Sequence, residues 1–267
     1  YDPYDALKSP FFSLPFLKTN KIIRFLTQQL VKRLPFNIRF LLFVPKGHNP
    51  VTLGLCIQAY SYLYIYNGKN NKKYLKKIKF LIKELLKQVS VGFSGACWGY
   101  DFDWEARYAK IPAYQPTVVA TGIITNALFI AYRTTGNTDA ANLIESAAKF
   151  VTNDLKKTYV GENFCFSYSP FDKQQVFNAS MKGARLLAQA YYITKDKKYK
   201  ILASKAVKFV VSHQKIDGSW DYSLSNSGNW IDNYHTGYVL DCLDEYQKLT
   251  GDKFFSNNIE IGYNFYK

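Results

Sequence analysis

Apolar residues recur at helical spacing in four separated stretches of the chain. The stretches are 53–66, 118–132, 179–193 and 236–249, and in each the apolar positions repeat every three to four residues. This period is typical of amphipathic helices that pack against one another. A glycine lies near the start of each stretch, at 54, 122, 183 and 237, which marks the four helices as equivalent parts of an internal repeat.

Polar residues before and after these stretches define the repeated unit. Five residues before each glycine stands a side chain that can accept a hydrogen bond from the free amides of a starting helix. These predicted N-caps are Asn49, Thr117, Asn178 and Asp232. A turn signal follows each stretch and is itself followed by a second helical pattern, so the predicted unit is a helix hairpin.

Each second helix leads into a loop with a shared pattern of a small residue, a large aromatic, any residue and a tyrosine. The pattern reads Cys-Trp-Gly-Tyr at 97–100, Cys-Phe-Ser-Tyr at 165–168 and Ser-Trp-Asp-Tyr at 219–222. We therefore predict an all-α fold, an α/α-toroid of helix hairpins forming an incomplete barrel in a single domain, 1–267. Its predicted parts are an N-terminal cap with lead-in helices, 1–50, and hairpins 51–115, 116–177, 178–231 and 232–267. Because the fourth hairpin ends before its loop, we expect further repeats beyond it.

Residues 205–220 carry a family resemblance. The run from Lys205 through Gln214 to Asp217-Gly218-Ser219-Trp220 resembles the QW repeat of squalene and oxidosqualene cyclases, in which the glutamine ties a helix end and the tryptophan stacks on it. The resemblance implies the toroid of the terpenoid cyclase and prenyltransferase superfamily. It also implies an alternative function, the binding or cyclisation of a terpenoid or polyprenyl compound.

The motifs for that alternative chemistry are incomplete. Trp104 stands where the cyclase acid motif has an aspartate, after Asp101-Phe102-Asp103, and Asp241-Cys242 lacks the spacing of a prenyltransferase zinc site. Four short phrases, at 37–39, 45–47, 166–170 and 232–237, are similar instead to uncharacterised proteins found among surface-polysaccharide biosynthesis genes. That similarity implies a carbohydrate context.

Composition and charge narrow the classes of partner. The net charge of +15 is compatible with nucleic acid, anionic lipid or an acidic polymer, but no nucleic-acid motif accompanies it, so we do not expect nucleic-acid binding. The apolar run at 36–44 is too short to cross a bilayer, and no signal-peptide pattern is present, so we expect a cytoplasmic protein without a transmembrane segment. The lack of a glycine-rich phosphate loop, a nucleophile elbow or a metal-spaced histidine cluster predicts no cofactor and no metal.

In a toroid of hairpins, the inner helices begin beside the loops that leave the preceding outer helices, and the unusual residues of this sequence lie in those loops. All four tryptophans are there, where aromatic rings can stack on sugars. The opposing interpretation is that the repeated Trp98, Phe166 and Trp220 pack one hairpin on the next. Free amides at the inner-helix N-termini favour an anionic substrate. The predicted substrate-binding residues are Trp98, Tyr100, Trp104, Arg107, Tyr168, Asp172, Trp220, Tyr222 and Trp230.

His235 breaks the repeat and is the sharpest catalytic candidate. With Asn233 and Tyr238 it resembles the Asn, His and Tyr groups that α/α-toroid polysaccharide lyases use on uronic acids, and the same groups suit a C5-epimerase. A second scheme pairs carboxylates as the acid and base of a glycoside hydrolase. The carboxylates of that scheme are Asp101 or Asp103 on one side and Asp232 or Asp172 on the other.

The sequence thus predicts a carbohydrate-active enzyme that acts on a uronic-acid-containing polysaccharide or its precursor, with lyase, epimerase or hydrolase chemistry. A non-catalytic scaffold in polysaccharide assembly stays open beside it.

Overall fold

Paired helices make up most of the molecule. The structure is a computed structural model that describes residues 1–105 and 110–267. The helices of these residues are α1 (Pro15–Thr19), α2 (Lys21–Arg33), α3 (Pro50–Tyr66), α4 (Lys72–Leu86), α5 (Val118–Thr135), α6 (Thr138–Asn153), α7 (Phe177–Thr194), α8 (Lys197–Val211), α9 (Asn233–Thr250) and α10 (Ser256–Tyr266). None of the described helices is long and apolar enough to cross a membrane.

The helices from α3 onwards form hairpins, α3–α4, α5–α6, α7–α8 and α9–α10, so the hairpin prediction is confirmed. Their first members pack side by side in chain order, α3 on α5, α5 on α7 and α7 on α9. These are the inner helices, and α4, α6, α8 and α10 are the outer helices. One apolar core runs through the hairpins, from Leu53 in α3 to Phe255 before α10.

Gly54 and Gly122 lie where neighbouring inner helices approach each other closely. A Cβ atom at Gly122 would come within 2.7 Å of the Lys182 Cβ, and one at Gly54 would lie 3.2 Å from a side-chain carbon of Ile124. Larger side chains at these positions would push the inner helices apart, since a well-packed interior has no room for added atoms. The spacing of these glycines therefore marks helix-to-helix contacts.

Three of the four predicted N-caps are confirmed. Asn49 accepts from the Val51 amide, Thr117 from Ala120, and Asp232 from His235. The remaining prediction, Asn178, is wrong, because α7 begins earlier and has Val176 at its N-cap position. Asn178 lies instead in the first turn of α7, where it is buried.

The loops between hairpins contain two short antiparallel sheets that helical periodicity does not reveal. Strand β1 (Trp104–Glu105) pairs with β2 (Lys110–Ile111), so that Trp104 lies opposite Ile111. Strand β3 (Lys157–Val160) pairs with β4 (Asn163–Phe166). Each sheet follows an outer helix and precedes the next inner helix, and its ladder restrains the loop that carries the predicted site residues.

Ion pairs fasten the N-terminal segment to the first loop. The buried Arg24 guanidinium of α2 contacts Asp103 at 2.8 Å and Glu105 at 2.9 Å, and the Lys8 amine contacts Asp101 at 2.7 Å. Gln28, one turn after Arg24, accepts a hydrogen bond from the Glu105 amide. Because a buried charge is tolerated only when it is paired and hydrogen-bonded, these contacts fix how α2 lies on the hairpins.

Candidate functional site

Two of the repeated loops fold back to the start of the inner helix of their own hairpin. The Tyr168 carbonyl accepts from the Val118 amide of α5 at 2.9 Å, and the Tyr222 carbonyl accepts from the Phe177 amide of α7 at 3.2 Å. These bonds use amides that the sequence analysis expected to be free for an anionic substrate. For the first amides of α5 and α7, that expectation is corrected by backbone hydrogen bonds from the loop that ends the same hairpin.

A cleft of about 850 Å³ opens between these loops. Of the predicted site residues, the cleft is lined by Trp104, Tyr168, Asp172, Tyr222, Trp230 and His235. They come from loops that are far apart in the chain and meet because successive hairpins pack side by side. The cleft also contains polar groups that the sequence analysis missed, namely Lys110, Gln115, Gln174, Gln175 and several serines. Their only signal in the sequence is their position beside the aromatic loops.

An aromatic wall borders the cleft. The rings of Tyr222 and Trp230 stack with their centroids 4.6 Å apart and their planes 10° from parallel, and the indole is 43% exposed. Burial, with a contribution from the charge of Asp232, raises the pKa of Tyr222, so its hydroxyl stays protonated near neutral pH. A flat, partly exposed indole backed by a second ring is a suitable platform for the apolar face of a sugar.

His235 stands beside this wall and is oriented by Asp232. Its Nδ1 atom lies 2.8 Å from both carboxylate oxygens of Asp232, while its backbone amide donates to the same carboxylate at 2.7 Å. Its ring meets Tyr222 and Trp230 edge to face, with centroid distances of 4.8 and 5.3 Å. The carboxylate therefore anchors the helix start and one imidazole nitrogen together.

Asp232 is held in its ionised form. Burial acts to raise the pKa of Asp232, but hydrogen bonds from the backbone amide and imidazole of His235 outweigh it, so the pKa lies below its ordinary value. A carboxylate at Nδ1 fixes the tautomer in which Nδ1 carries the proton, and it leaves the Nε2 lone pair available in the neutral ring. This is the arrangement of a histidine base with an orienting carboxylate.

Lys182 lies against the ring of Tyr238, beside the Asp232–His235 pair. The Lys182 amine lies 3.7 Å from the centre of the Tyr238 ring, which is one turn after His235 on α9. Lys182 is 1% exposed, and burial lowers the pKa of its amine to about 8. The sequence does not identify this lysine as a site residue, because nothing in its local pattern distinguishes it from surface lysines.

Solved structures provide the comparison. A glycoside hydrolase family 76 mannosidase from Bacteroides thetaiotaomicron is 14% identical, with 80% of this chain and 58% of that one covered and a TM-score of 0.51. A cellobiose 2-epimerase from Spirochaeta thermophila is 12% identical, with 98% and 72% covered and a TM-score of 0.62. A D-mannose isomerase is 13% identical, with 98% and 74% covered and a TM-score of 0.60.

The fold is an α/α-toroid. The chain spans about 58 to 74% of the length of these solved structures, and identities this low establish the architecture alone. No protein-family model and no curated protein matches the chain. The resemblances to terpenoid cyclases and to surface-polysaccharide proteins are not confirmed by these matches.

In this toroid, Trp98 and Trp220 are structural. Both are buried, and neither lines the cleft. The Trp98 indole N–H donates to the Leu85 carbonyl near the end of α4, and that of Trp220 donates to the Val210 carbonyl near the end of α8. Their predicted contact with a substrate is therefore corrected: the repeated aromatic closes an outer helix, which is why it recurs from hairpin to hairpin.

The QW-like stretch has a related role in the toroid. The Gln214 amide donates to the Gly218 carbonyl at 3.0 Å and to the Asn258 carbonyl of α10 at 2.9 Å. The glutamine thus ties the end of the third hairpin to the last outer helix. This contact supports packing of the hairpins and says nothing about cyclase chemistry.

Asp101 and Asp103 belong to the attachment of the N-terminal segment and do not line the cleft. Asp101 is buried against Lys8, while Asp103 contacts Arg24 and also accepts from the Ala113 amide. Their predicted role as acid or base is corrected, since each carboxylate is committed to a cation. Sequence alone could not distinguish these aspartates from Asp232, because their partners lie about 80 to 90 residues away.

The other predicted residues are spread around the rim. Tyr100 is half-buried and stacks on Phe102, outside the cleft lining, and burial raises the pKa of its hydroxyl. Asn233 is exposed on the first turn of α9. Tyr238, 40% exposed, lies next to His235 with a centroid distance of 6.4 Å. Arg107 lies outside the described residues.

Tyr168 and Asp172 form the other side of the cleft. Burial, followed by the nearby phenols of Tyr100 and Tyr222 and the charge of Asp172, raises the pKa of Tyr168. Asp172 accepts hydrogen bonds from the backbone amides of Tyr168 and Gln174, and these bonds restrain the conformation of its own loop. Within the described residues, no group of three or more His, Cys, Asp or Glu side chains is placed to hold a metal ion.

Proposed function

We propose that the cleft binds a sugar and that His235, oriented by Asp232, removes a proton from a sugar carbon. The reaction class is epimerisation or isomerisation, or elimination if a bond at the adjacent carbon breaks. The observation that carries this proposal is the carboxylate–imidazole pair beside the stacked wall of Tyr222 and Trp230. General-base chemistry needs this combination of an oriented base and a bound carbon acid.

The proton transfer follows from the arrangement of the pair. Nδ1 of His235 is engaged by Asp232, so the Nε2 lone pair is the basic site of the neutral ring. When Nε2 accepts a proton, the imidazolium is stabilised by the ionised carboxylate at Nδ1. Tyr238, one turn further along α9, is the candidate to return a proton on the other side of the reaction.

Binding is assigned to the wall and the polar lining. A pyranose ring stacked on Trp230 would bring its carbons next to the His235 ring, since the two residues are in edge-to-face contact. Gln115, Gln175 and the serines offer hydrogen bonds to hydroxyl groups. This mixture of one apolar face and several neutral polar groups suits a sugar better than a polyprenyl chain, which needs an apolar lining.

A uronic acid remains the proposed substrate class. Lys110 lines the cleft and is exposed, so a cationic group is available for a sugar carboxylate. An enolate formed after proton removal is stabilised by positive charge near that carboxylate. We assign this role to Lys110 in preference to Asn233, which lies outside the cleft lining at the start of α9.

Glycoside hydrolysis is a second candidate, favoured by the structural similarity to a glycoside hydrolase family 76 mannosidase. It requires two carboxyl groups facing the scissile bond. Asp172 lines the cleft, but Asp101 and Asp103 are paired with cations elsewhere, so the partner carboxylate would have to be Asp232. Proton abstraction by His235 requires no such second acid.

The test is incubation of the purified chain in D2O with uronate oligosaccharides and, separately, with cellobiose and mannobiose, followed by mass spectrometry. Deuterium at carbon without bond cleavage identifies epimerase or isomerase chemistry. An unsaturated product identifies a lyase, and added water without carbon-bound deuterium identifies a hydrolase. We expect deuterium incorporation that His235→Ala abolishes.

His48→Ala is the matched control, because His48 is an exposed histidine outside the cleft. It should retain full activity. If His235→Ala, folded by circular dichroism, turns over as fast as the wild type, His235 is not the base. If no substrate is altered and none changes the tryptophan fluorescence that Trp230 contributes, a scaffold role replaces the enzyme proposal.

A further inference from the structure

The net positive charge of the protein comes from one part of the chain. Residues 6–83 contain fifteen Lys and Arg and no Asp or Glu, so this segment accounts for the whole formal net charge of +15. The rest of the chain has equal numbers of acidic and basic residues. A protein that only needed solubility would gain it from charges of both signs spread over its surface. The segregation points to an anionic partner for the N-terminal part.

Helix α2 carries its apolar residues on the outside. Its buried residues are Arg24, Gln28 and Val31, whereas Ile22, Leu26 and Leu30 are 70, 58 and 56% exposed. These three recur every four residues and form one stripe along the helix. An ordinary surface helix has the opposite orientation, so the stripe is an unpartnered face of the folded protein.

Further exposed aromatics adjoin this stripe. Phe16 in α1, and Phe36 and Phe40 just after α2, are each about two-thirds exposed. Lys18, Lys21 and Arg33 are exposed in the same segment, with Arg33 three residues after Leu30. Phenylalanine and leucine side chains flanked by lysine and arginine are the composition of helices that lie in the headgroup region of a membrane.

We propose that the exposed face of α1, α2 and residues 34–43 docks on the surface of an anionic phospholipid bilayer. Charge complementarity selects an anionic partner, since lipid phosphates attract the exposed lysines and arginines. The apolar stripe then selects a bilayer over a polyanion. Nucleic acid or an acidic glycan would pair with the cations but would leave Ile22, Leu26 and Leu30 in water.

This docking is peripheral and does not depend on the proposed sugar chemistry. The stripe lies along a helix of 13 residues, about 20 Å long, which would rest in the plane of the headgroups. Arg24, on its opposite side, stays paired with Asp103 and Glu105 and keeps the helix attached to the protein. The N-terminal segment would therefore bind lipid without unfolding.

The test is cosedimentation of the full chain with vesicles of phosphatidylcholine containing 20% phosphatidylglycerol, and with pure phosphatidylcholine vesicles. We expect binding to the anionic vesicles only, weakened by salt. Leu26→Glu should lower the bound-to-free ratio about tenfold or more, because it places a charge in the stripe. Ile201→Glu is the matched control, since Ile201 is 55% exposed on the outer helix α8.

Each result has a defined meaning. No binding of the folded wild type to anionic vesicles overturns the proposal, as does equal binding of the wild type and Leu26→Glu. Equal binding to neutral vesicles overturns the anionic part of it. A wild-type dimer in light scattering that Leu26→Glu dissociates, without vesicle binding, assigns the face to a second copy of this chain instead.

Discussion

Asp232 has two roles that two substitutions can separate. It caps α9 through the His235 amide and orients the His235 ring. Asp232→Asn keeps a good N-cap but loses the negative charge, so we expect a free energy of unfolding within about 0.5 kcal/mol of the wild type. Turnover of the sugar substrate should nevertheless fall by about 10²-fold or more, because the imidazolium is no longer stabilised.

Asp232→Ala is the comparison, since it removes the cap as well and should cost about 1 kcal/mol of stability. Urea unfolding and the rate of deuterium incorporation measure the two effects. Full turnover in Asp232→Asn would show that the carboxylate serves only as a helix cap.

Lys182 makes stability depend on pH. Its pKa is lowered by burial from 10.5 to about 8, so between these values the unfolded chain holds a proton that the folded chain has lost. Stability from this group therefore rises with pH across that window, and each unit of the depression corresponds to about 1.4 kcal/mol. Below pH 8 both states are protonated, and the full cost of burying the charge is present.

We therefore expect Lys182→Met to be more stable than the wild type near pH 7. This difference in the free energy of unfolding should shrink as the pH approaches 10. Urea unfolding of both proteins at several pH values measures the difference in their free energies of unfolding. The contributions of the buried tyrosines are the same in both proteins and cancel in this difference. A difference that does not change with pH would mean that the amine reaches water in the folded protein.

Among single residues, those that depart from the repeat identify the site better than those that belong to the repeat. His235 was predicted because its equivalents are not histidines, and it lines the cleft. The residue type of Trp98 and Trp220 favours a sugar contact, but their equivalent positions in two hairpins reflect an equivalent contact, an indole hydrogen bond to the end of an outer helix. Asp101 and Asp103 could not be judged without their partners, Lys8 and Arg24, which are distant in sequence.

At the scale of elements, the packing of α5 on α7 rests on Gly122. An alanine there would place its Cβ 2.7 Å from the Lys182 Cβ and 3.3 Å from the Lys182 carbonyl oxygen. Overpacking of this kind costs about 1–3 kcal/mol, against a gain of about 1 kcal/mol in helix propensity. We expect Gly122→Ala to destabilise the protein in urea unfolding.

Gly54→Ala is the matched comparison in α3, where the nearest atoms of Ile124 lie at 3.2 and 3.3 Å. It should cost less than Gly122→Ala or be neutral. The opposite order would mean that α7 can shift away from α5 more easily than α5 from α3.

Helix starts were predictable where the capping group is local and not where it comes from a loop far along the chain. Asn49, Thr117 and Asp232 lie next to the amides that they bind. The start of α7 is set by the Tyr222 carbonyl, 45 residues further along the chain, which accepts from Phe177. A contact of that range leaves no local signal, and the same applies to the short sheets in the loops.

At the scale of the molecule, the toroid is stabilised by contacts between neighbouring hairpins, so its middle should be its most stable part. In α7, 14 residues are buried, whereas α10 has one. Arrays of this kind lose their terminal units first, because each unit packs only on its neighbours.

Hydrogen exchange measured by mass spectrometry should therefore show the slowest amide exchange in α7 and α5 and the fastest in α10. Gly122→Ala should accelerate exchange in both middle helices. Uniform protection along the chain would indicate that the hairpins unfold as one unit.

The architecture was predictable at this scale because glycines and turn signals recur in the same order in four stretches, with a local cap before three of them. The cleft was predictable only as a region. Its polar lining comes from non-repeated stretches such as 110–115 and 174–175, which the hairpin packing brings together.

The bonds from the Tyr168 and Tyr222 carbonyls to α5 and α7 have a consequence for how such a chain can change over generations. Because each of these loops is bonded to the inner helix of its own hairpin, a whole hairpin exchanged between related genes would carry the loop and its contact together. One wall of the cleft would be replaced while the opposite wall kept its shape. Substrate preference can therefore be altered one hairpin at a time, without redesign of the ring.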